Sequence, residues 1–278
     1  MMKRKQLRKV LLRFLQSKGY VNIKQTDKYI LAEGGLPVCL VAHIDTVWPK
    51  PPSRIYHDKD YNVFWSETGL GADDRAGIYM IIELVERGLR PSIVITDLEE
   101  EGGVGADVLV RHFPRCPFKE CKALIELDRR GYNDAVFYRC DNKEFKQLIL
   151  SYGFKLAQGT FTDISIISPP WGLASVNLSC GYYNEHTSLE MLKLEECEQV
   201  IDKVELMLRE CDNWKSYEYI PEKMKIFDKS WTQEVCLSCG KRINYKDAHR
   251  VGGNGLGLVS DFYLCSSCYQ MYVSDFID

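Results

Sequence analysis

Apolar residues fall into two kinds of pattern along this chain. At the N-terminal end Leu7, Val10, Leu11, Phe14 and Leu15 recur every three or four positions with Lys and Arg between them. That spacing predicts an amphipathic helix docked on a core by one stripe. The basic start imitates a signal peptide, but Arg13 interrupts the apolar stretch and no small-residue cleavage site follows. The second pattern is short and unbroken. Pro37–Ala42 (PVCLVA), Ser92–Thr96 (SIVIT), Ala123–Leu127 (ALIEL) and Leu173–Leu178 read as strands, the first three buried on both faces. Helical spacing fills the stretches between and after them: Ala76–Arg87, closed by Gly88, then Gly105–Phe113, Lys143–Tyr152 and Leu194–Arg209. Tyr20–Ile23 and Lys28–Ala32 read as short strands, Arg54–Tyr56 with Val63–Trp65 as a hairpin, and Ile164–Ser168 as a short helix.

Buried strands alternating with helices predict a three-layer α/β/α sandwich around a mostly parallel sheet. Ligand sites in such sheets lie beyond the carboxyl ends of the strands. From Trp214 to Trp231 the pattern lapses into mixed charged and aromatic residues. The expected organisation is therefore a main domain over 1–213, a linker over 214–231 and a small module over 232–278.

Composition narrows the function classes. The chain has 278 residues, 45% hydrophobic and 27% charged, which is globular rather than disordered. With a net charge of −3, nothing draws it in bulk toward nucleic acid or an anionic membrane. No apolar run approaches the roughly 18 residues that span a bilayer. Eleven cysteines without an export signal suggest a reducing, cytoplasmic compartment.

Five segments carry candidate chemistry. They are His43-Ile-Asp45-Thr-Val, Gly71-Ala-Asp73-Asp74-Arg-Ala-Gly77, Glu99-Glu100-Glu101-Gly-Gly-Val-Gly-Ala106, Leu127-Asp128-Arg129-Arg130-Gly131 and Tyr183-Asn-Glu-His186-Thr. A lone His-x-Asp, an Asp-Asp pair or a run of three Glu says little by itself, since such residues usually cap helices or face solvent. Here they fall in order at consecutive strand ends. Carboxylates converging on one cleft would repel and stay partly protonated unless a cation joined them. Two imidazoles with several carboxylates suit zinc, with manganese or cobalt as alternatives. His57, His112 and His249 have no such context. Arg129 and Arg130 could clamp a substrate carboxylate or simply form an exposed basic turn.

Over Pro37–Glu210 these five motifs resemble the co-catalytic zinc exopeptidases, a superfamily of aminopeptidases, peptidase T, carboxypeptidases and deacylases. Gly159-Thr-Phe-Thr162-Asp163 is similar to its Gly-Gly-Thr-Asp turn. The resemblance implies that His43 holds one metal and His186 the other, that Asp73 bridges both, and that Glu100 completes the site of one metal and Asp128 that of the other. It implies that Asp45 fixes the tautomer of His43 and that Glu99 is the general base, with a shift to Glu100 and Glu101 left open. It also implies a cis bond at Asp73–Asp74. Family members often insert a second domain between motifs. Here His43 and Asp73 are 30 positions apart and Asp128 and His186 are 58 apart, so neither gap holds one.

Cys236-Leu-Ser-Cys239 and Cys265-Ser-Ser-Cys268, separated by 25 residues, read as a zinc ribbon with one structural zinc held by four cysteines. Gly240 suits the turn after the first pair. Phe262, Tyr263, Tyr269 and Tyr272 are expected to form its small core rather than a base-stacking platform. Its expected role is a protein contact, self-association or covering of the site. The whole sequence thus predicts a two-metal hydrolase of peptide or small amide bonds, aminopeptidase-like. The alternatives are an N-acyl amino acid deacylase and, in another class, a ribbon adaptor with a degenerate hydrolase domain.

Overall fold

Unbroken apolar strands need a layer on each side, and the alternation of their side chains provides it. In the computed structural model Val38, Leu40 and Ala42 enter one core cluster while Cys39 and Val41 enter another. Ile93 and Ile95 divide from Val94 in the same way, as do Ala123, Ile125 and Leu127 from Leu124. The structure describes residues 2–222 and, beyond them, 233–236, 238–239, 241–244, 247–251 and 262–274. It divides into two compact units, Met1–Glu222 and Lys223–Asp278.

In chain order the first unit contains α1 (Arg4–Ser17), β1 (Val21–Gln25), β2 (Tyr29–Glu33), β3 (Leu36–His43), β4 (Tyr56–Asp58), β5 (Val63–Trp65), α2 (Ala72–Glu86), β6 (Pro91–Thr96), α3 (Val104–His112), β7 (Ala123–Arg129) and β8 (Asp134–Val136). It continues with α4 (Lys143–Ser151), β9 (Lys155–Leu156), α5 (Asp163–Trp171), β10 (Ser175–Ser179), β11 (Tyr182–Tyr183), β12 (Met191–Lys193) and α6 (Leu194–Glu210). Eight strands form one sheet in the order β1-β2-β6-β3-β7-β10-β8-β9. Its centre, β6-β3-β7-β10, is parallel. β1, β2 and β8 join by antiparallel pairing. Helices α2 and α6 pack together over one face, and α3 and α5 over the other. The expected three-layer sandwich is present. A separate four-stranded sheet, β11-β12-β5-β4, pairs the predicted hairpin strand Val63–Trp65 with residues after the last core strand.

α1 docks through Leu11 and Leu15, both 1% exposed. Its Arg8 reaches the carbonyl oxygen of Thr26 at 2.7 Å and the Asp97 carboxylate at 3.0 Å. α2 lies so close to β7 that a Cβ on Gly77 would stand 1.9 Å from the Leu127 carbonyl oxygen. Only glycine fits there. Trp214 and Tyr217, read above as the start of a linker, are buried in the main core. Isolated bridges pair Leu173 with Glu218 and Cys140 with Pro221.

The second unit holds two antiparallel strand pairs, β13 (Gln233–Val235) with β14 (Arg242–Asn244) and β15 (Ala248–Val251) with β16 (Phe262–Cys265), followed by α7 (Ser266–Ser274). Cys236, Ile243, Leu264 and Cys268 are its buried core, with Tyr269 packed against them. The linker residues 223–231, Gly240 and the side chains of Phe262, Tyr263 and Tyr272 lie outside the described part. Among the described residues no helix is long and apolar enough to cross a membrane.

Candidate metal centre

The chain passes from β3 to β6 on one side and then to β7 on the other. The loops that leave these strands therefore open onto opposite faces, and a crevice forms between their carboxyl ends. His43 is the last residue of β3 and is 1% exposed. Its Nδ1 meets Asp45 Oδ1 at 3.2 Å. Its Nε2 faces Asp73 Oδ1 at 3.2 Å, Asp128 Oδ1 at 3.5 Å and Glu99 Oε2 at 4.0 Å. The other oxygen of Asp73, Oδ2, lies 3.1 Å from His186 Nε2, and Glu100 Oε2 lies 3.0 Å from the same nitrogen. Two donor groups result, His43–Asp73–Asp128 and Asp73–Glu100–His186, each with its ligand atoms within 4.8 Å of one another. All five residues expected to hold metal thus come together, and Asp73 belongs to both groups.

These spacings fit a tetrahedral ion. Ligand atoms about 2.0–2.1 Å from zinc stand about 3.3 Å from one another. The electrostatics point the same way. Burial alone would depress His43, but Asp128, with Asp45 and Asp73 bonded to its ring, carries it well above the ordinary histidine range. Hydrogen bonds that the Asp73 and Glu100 carboxylates accept from its ring carry His186 up to about 10. Burial pushes Asp128 up to about 6, against the pull of His43. Burial, with Asp128, Asp163 and Glu100 nearby, pushes Glu99 up to about 9 although His43 opposes it. Imidazoles pushed up by carboxylates, beside the Asp128 and Glu99 carboxyls pushed up by burial, describe a site short of positive charge, which divalent cations would supply.

Supporting contacts fix this arrangement. Asp45 accepts the backbone N–H groups of Glu99 and Glu100, both at 3.2 Å, and so ties the loop after β6 to His43. Asp74 accepts His43 N–H at 3.1 Å and Gly77 N–H at 2.9 Å. The Asp73–Asp74 peptide bond is cis. Asp128 accepts Thr162 Oγ1 at 3.0 Å and the Tyr182 hydroxyl at 3.2 Å. Thr162 is the N-cap of α5, and its bond to Asp128 places the Gly159–Asp163 turn against the centre. Glu101 is exposed and lines a cavity of about 620 Å³ together with Asp45, Trp48 and Arg75. Arg129 and Arg130 are paired with Asp134 at 3.4 Å and Glu185 at 2.7 Å. His57 and His112 bond to Asn62 and Tyr29, and His249, in the second unit, bonds to Ser266.

Several residues at the centre were not singled out from the sequence. Glu126 lies fully buried in β7, where burial and the charges of Asp128 and Asp163 push its carboxyl well up, and it shares Thr162 Oγ1 at 2.8 Å. One signal was available, a lone acid inside the apolar run ALIEL. Glu190 is 1% exposed although it follows a polar loop that reads as solvated. Asn177 on β10 holds the Asp128 backbone through both amide atoms, at 2.9 and 2.8 Å.

In the second unit Cys236, Cys239, Cys265 and Cys268 bring their sulfurs within 4.8 Å of one another, with Cys239 and Cys265 at 3.9 Å. Four thiolates about 2.3 Å from a tetrahedral zinc would stand about 3.8 Å apart.

No protein-family model matches the sequence, and no curated protein matches it. Solved structures do. The fold is similar to aminopeptidase PepT from Bacillus cereus, with a TM-score of 0.61 and 16% identity over 73% of this chain and 92% of that one. A tripeptidase from Staphylococcus aureus aligns with a TM-score of 0.61 and 14% identity over 75% and 93%. The Pyrococcus horikoshii TET1 peptidase, which can assemble into a tetrahedron or a large octahedral shell, aligns with a TM-score of 0.52 and 14% identity over 74% and 94%. At such identities the likeness establishes a shared fold.

Proposed function

We propose that the chain is a two-metal hydrolase of peptide or amide bonds that works as an aminopeptidase-like exopeptidase. The observation that carries this reading is Asp73, whose two oxygens face two different imidazoles in two donor groups. The peptidase fold of the structural neighbours supports it. His43, Asp73 and Asp128 would hold one ion and Asp73, Glu100 and His186 the other, zinc by donor type, with manganese or cobalt as substitutes. Bound there, the ions would polarise the scissile carbonyl and acidify the attacking water.

The remaining steps belong to the protein. Asp45 accepts the Nδ1 hydrogen of His43 and so keeps the Nε2 lone pair directed into the cluster. Glu99 stands half-buried beside His43 without belonging to either donor group, so once bound cations draw off its proton its carboxylate is free to act as base. It takes the proton of the attacking water and returns it to the departing amine as the C–N bond breaks. The exposed Glu101 supports Glu99 and Glu100, rather than Glu100 and Glu101, as the base and ligand pair. Unpaired cysteines throughout the chain support a reducing, cytoplasmic setting. One zinc at the four cysteines would fold the ribbon, whose proposed use is self-association or a protein partner rather than membrane or nucleic acid.

Metal analysis and turnover together test the reading. The protein should bind about three zinc equivalents, two removable by chelator and one held by the cysteines. It should cleave short peptides with a free amino terminus. Turnover of N-acyl amino acids alone would transfer the proposal to a deacylase. A single, cysteine-held zinc and no hydrolysis would leave the adaptor reading.

A further inference from the structure

Glu190 makes no contact with the donor atoms, yet it is the most completely satisfied carboxylate near them. Its Oε2 accepts the Gly71 N–H at 2.6 Å and the Trp48 indole N–H at 3.0 Å. Its Oε1 accepts the Ala72 N–H at 2.7 Å and the Asp73 N–H at 3.0 Å. Gly71 has φ +67°, a left-handed backbone that helps turn three successive N–H groups to one side. The four donors come from two separate parts of the centre. Trp48 is on the loop that continues from His43, and Gly71–Asp73 is the turn that presents Asp73. Glu190 itself ends the segment that carries His186.

We infer that Glu190 is a positioning residue that sets the two donor groups in register by pinning together the loop that follows His43, the turn that presents Asp73 and the segment that carries His186. The inference rests on the two-metal reading. Physical economy favours it over simple capping of α2. A cap needs one or two helix N–H groups, whereas this carboxylate also holds an indole from a loop outside the helix. Burying a full charge beside an already acidic cluster is costly unless all its acceptor positions are used, and here both oxygens are. His186 needs such an anchor because its side chain is 49% exposed and its loop packs little apolar surface.

The test measures zinc affinity and melting temperature side by side. Glu190→Gln keeps the shape but offers an NH2 where two N–H donors converge. Zinc affinity of the two-metal centre, measured against a chromophoric chelator, should fall about 10- to 100-fold, the usual effect of losing a group that orients metal ligands. The cysteine-held zinc is the internal control and should not change. A residue that only capped the helix would lower the melting temperature of the metal-free protein and leave the zinc affinity of the folded fraction untouched. That result overturns the inference. Should Glu190→Gln fail to fold, Trp48→Phe removes one of the four donors and leaves the carboxylate in place. A several-fold loss of zinc affinity with a near-parental melting temperature supports the inference, and parental affinity refutes it. If the parent protein takes up no zinc beyond the cysteine site, the two-metal reading fails and this inference falls with it. If the parent is fully loaded and the variants load equally well, only the inference falls.

Discussion

Replacing Glu99 by glutamine would separate the proposed proton transfer from the proposed metal binding at the centre. The side chain is 12% exposed, its Oε2 stands 4.0 Å from His43 Nε2, and it belongs to neither donor group. Glutamine fills the same volume and cannot accept a proton. A lost general base costs about 10²–10⁴-fold in turnover. At about 1.36 kcal/mol per tenfold, that raises the barrier by about 3–5 kcal/mol. Stability should move the other way or not at all. Glu99 is crowded by Asp128, Asp163 and Glu100, and the crowding with burial is what pushes it to about 9. A neutral amide removes that repulsion, so the metal-free variant should melt no lower than the parent. The assay is steady-state turnover on a short peptide, with zinc content measured on the same sample. Two results refute the reasoning. Turnover within tenfold of the parent means that another group takes the proton. Loss of one zinc equivalent means that Glu99 is a ligand and that the neighbouring glutamates are misassigned. Glu101→Gln is the control for register and should leave turnover near the parent's.

Other substitutions probe the centre and the scaffold that holds it. Glu100→Gln should lower the affinity for one of the two chelator-sensitive zinc equivalents directly and for the other to a smaller extent through the shared Asp73, measured by zinc release to a chelator. Asp45→Asn should weaken zinc binding about 10- to 100-fold, because an amide cannot accept both the Glu99 and Glu100 N–H groups while also holding His43. Phe145→Ala should destabilise the first unit by about 3–5 kcal/mol in urea unfolding, since the ring is fully buried against Phe137 and Tyr217. Gly77→Ala should cost more than the roughly 1–3 kcal/mol typical of overpacking, because its Cβ meets a backbone carbonyl that cannot rotate away.

The central strands were legible because burial on both faces leaves an unbroken apolar signature. Pro37–Ala42 and Ser92–Thr96 lie within β3 and β6 for that reason. β8, β9, β11 and β12 carry no such signature. They are two or three residues long, and long-range pairing creates them rather than local preference. Trp214 and Tyr217 misled because their segment joins the core through isolated bridges, which impose no period on the sequence. At the centre, the ligand-type residues were visible from their order at strand ends. Of the groups that orient them, Asp45 was legible two positions after His43, while Asn177, Glu126 and Glu190 were not. Nothing in Leu189-Glu190-Met191 distinguishes a carboxylate cradled by four N–H donors from one in water, since the donors come from positions up to 142 residues away. Glu126 was hidden differently, as an acid tolerated inside a strand because Thr162 bonds to it.

The divided loyalty of Asp73 has a thermodynamic consequence. A carboxylate has one plane, so whatever immobilises Oδ1 also limits where Oδ2 can go. The first cation to arrive would therefore spend conformational entropy that the second need not spend again. Titration with zinc should then be cooperative across the pair, half-loaded molecules should be scarce at intermediate zinc, and activity should follow the square of free metal more nearly than its first power.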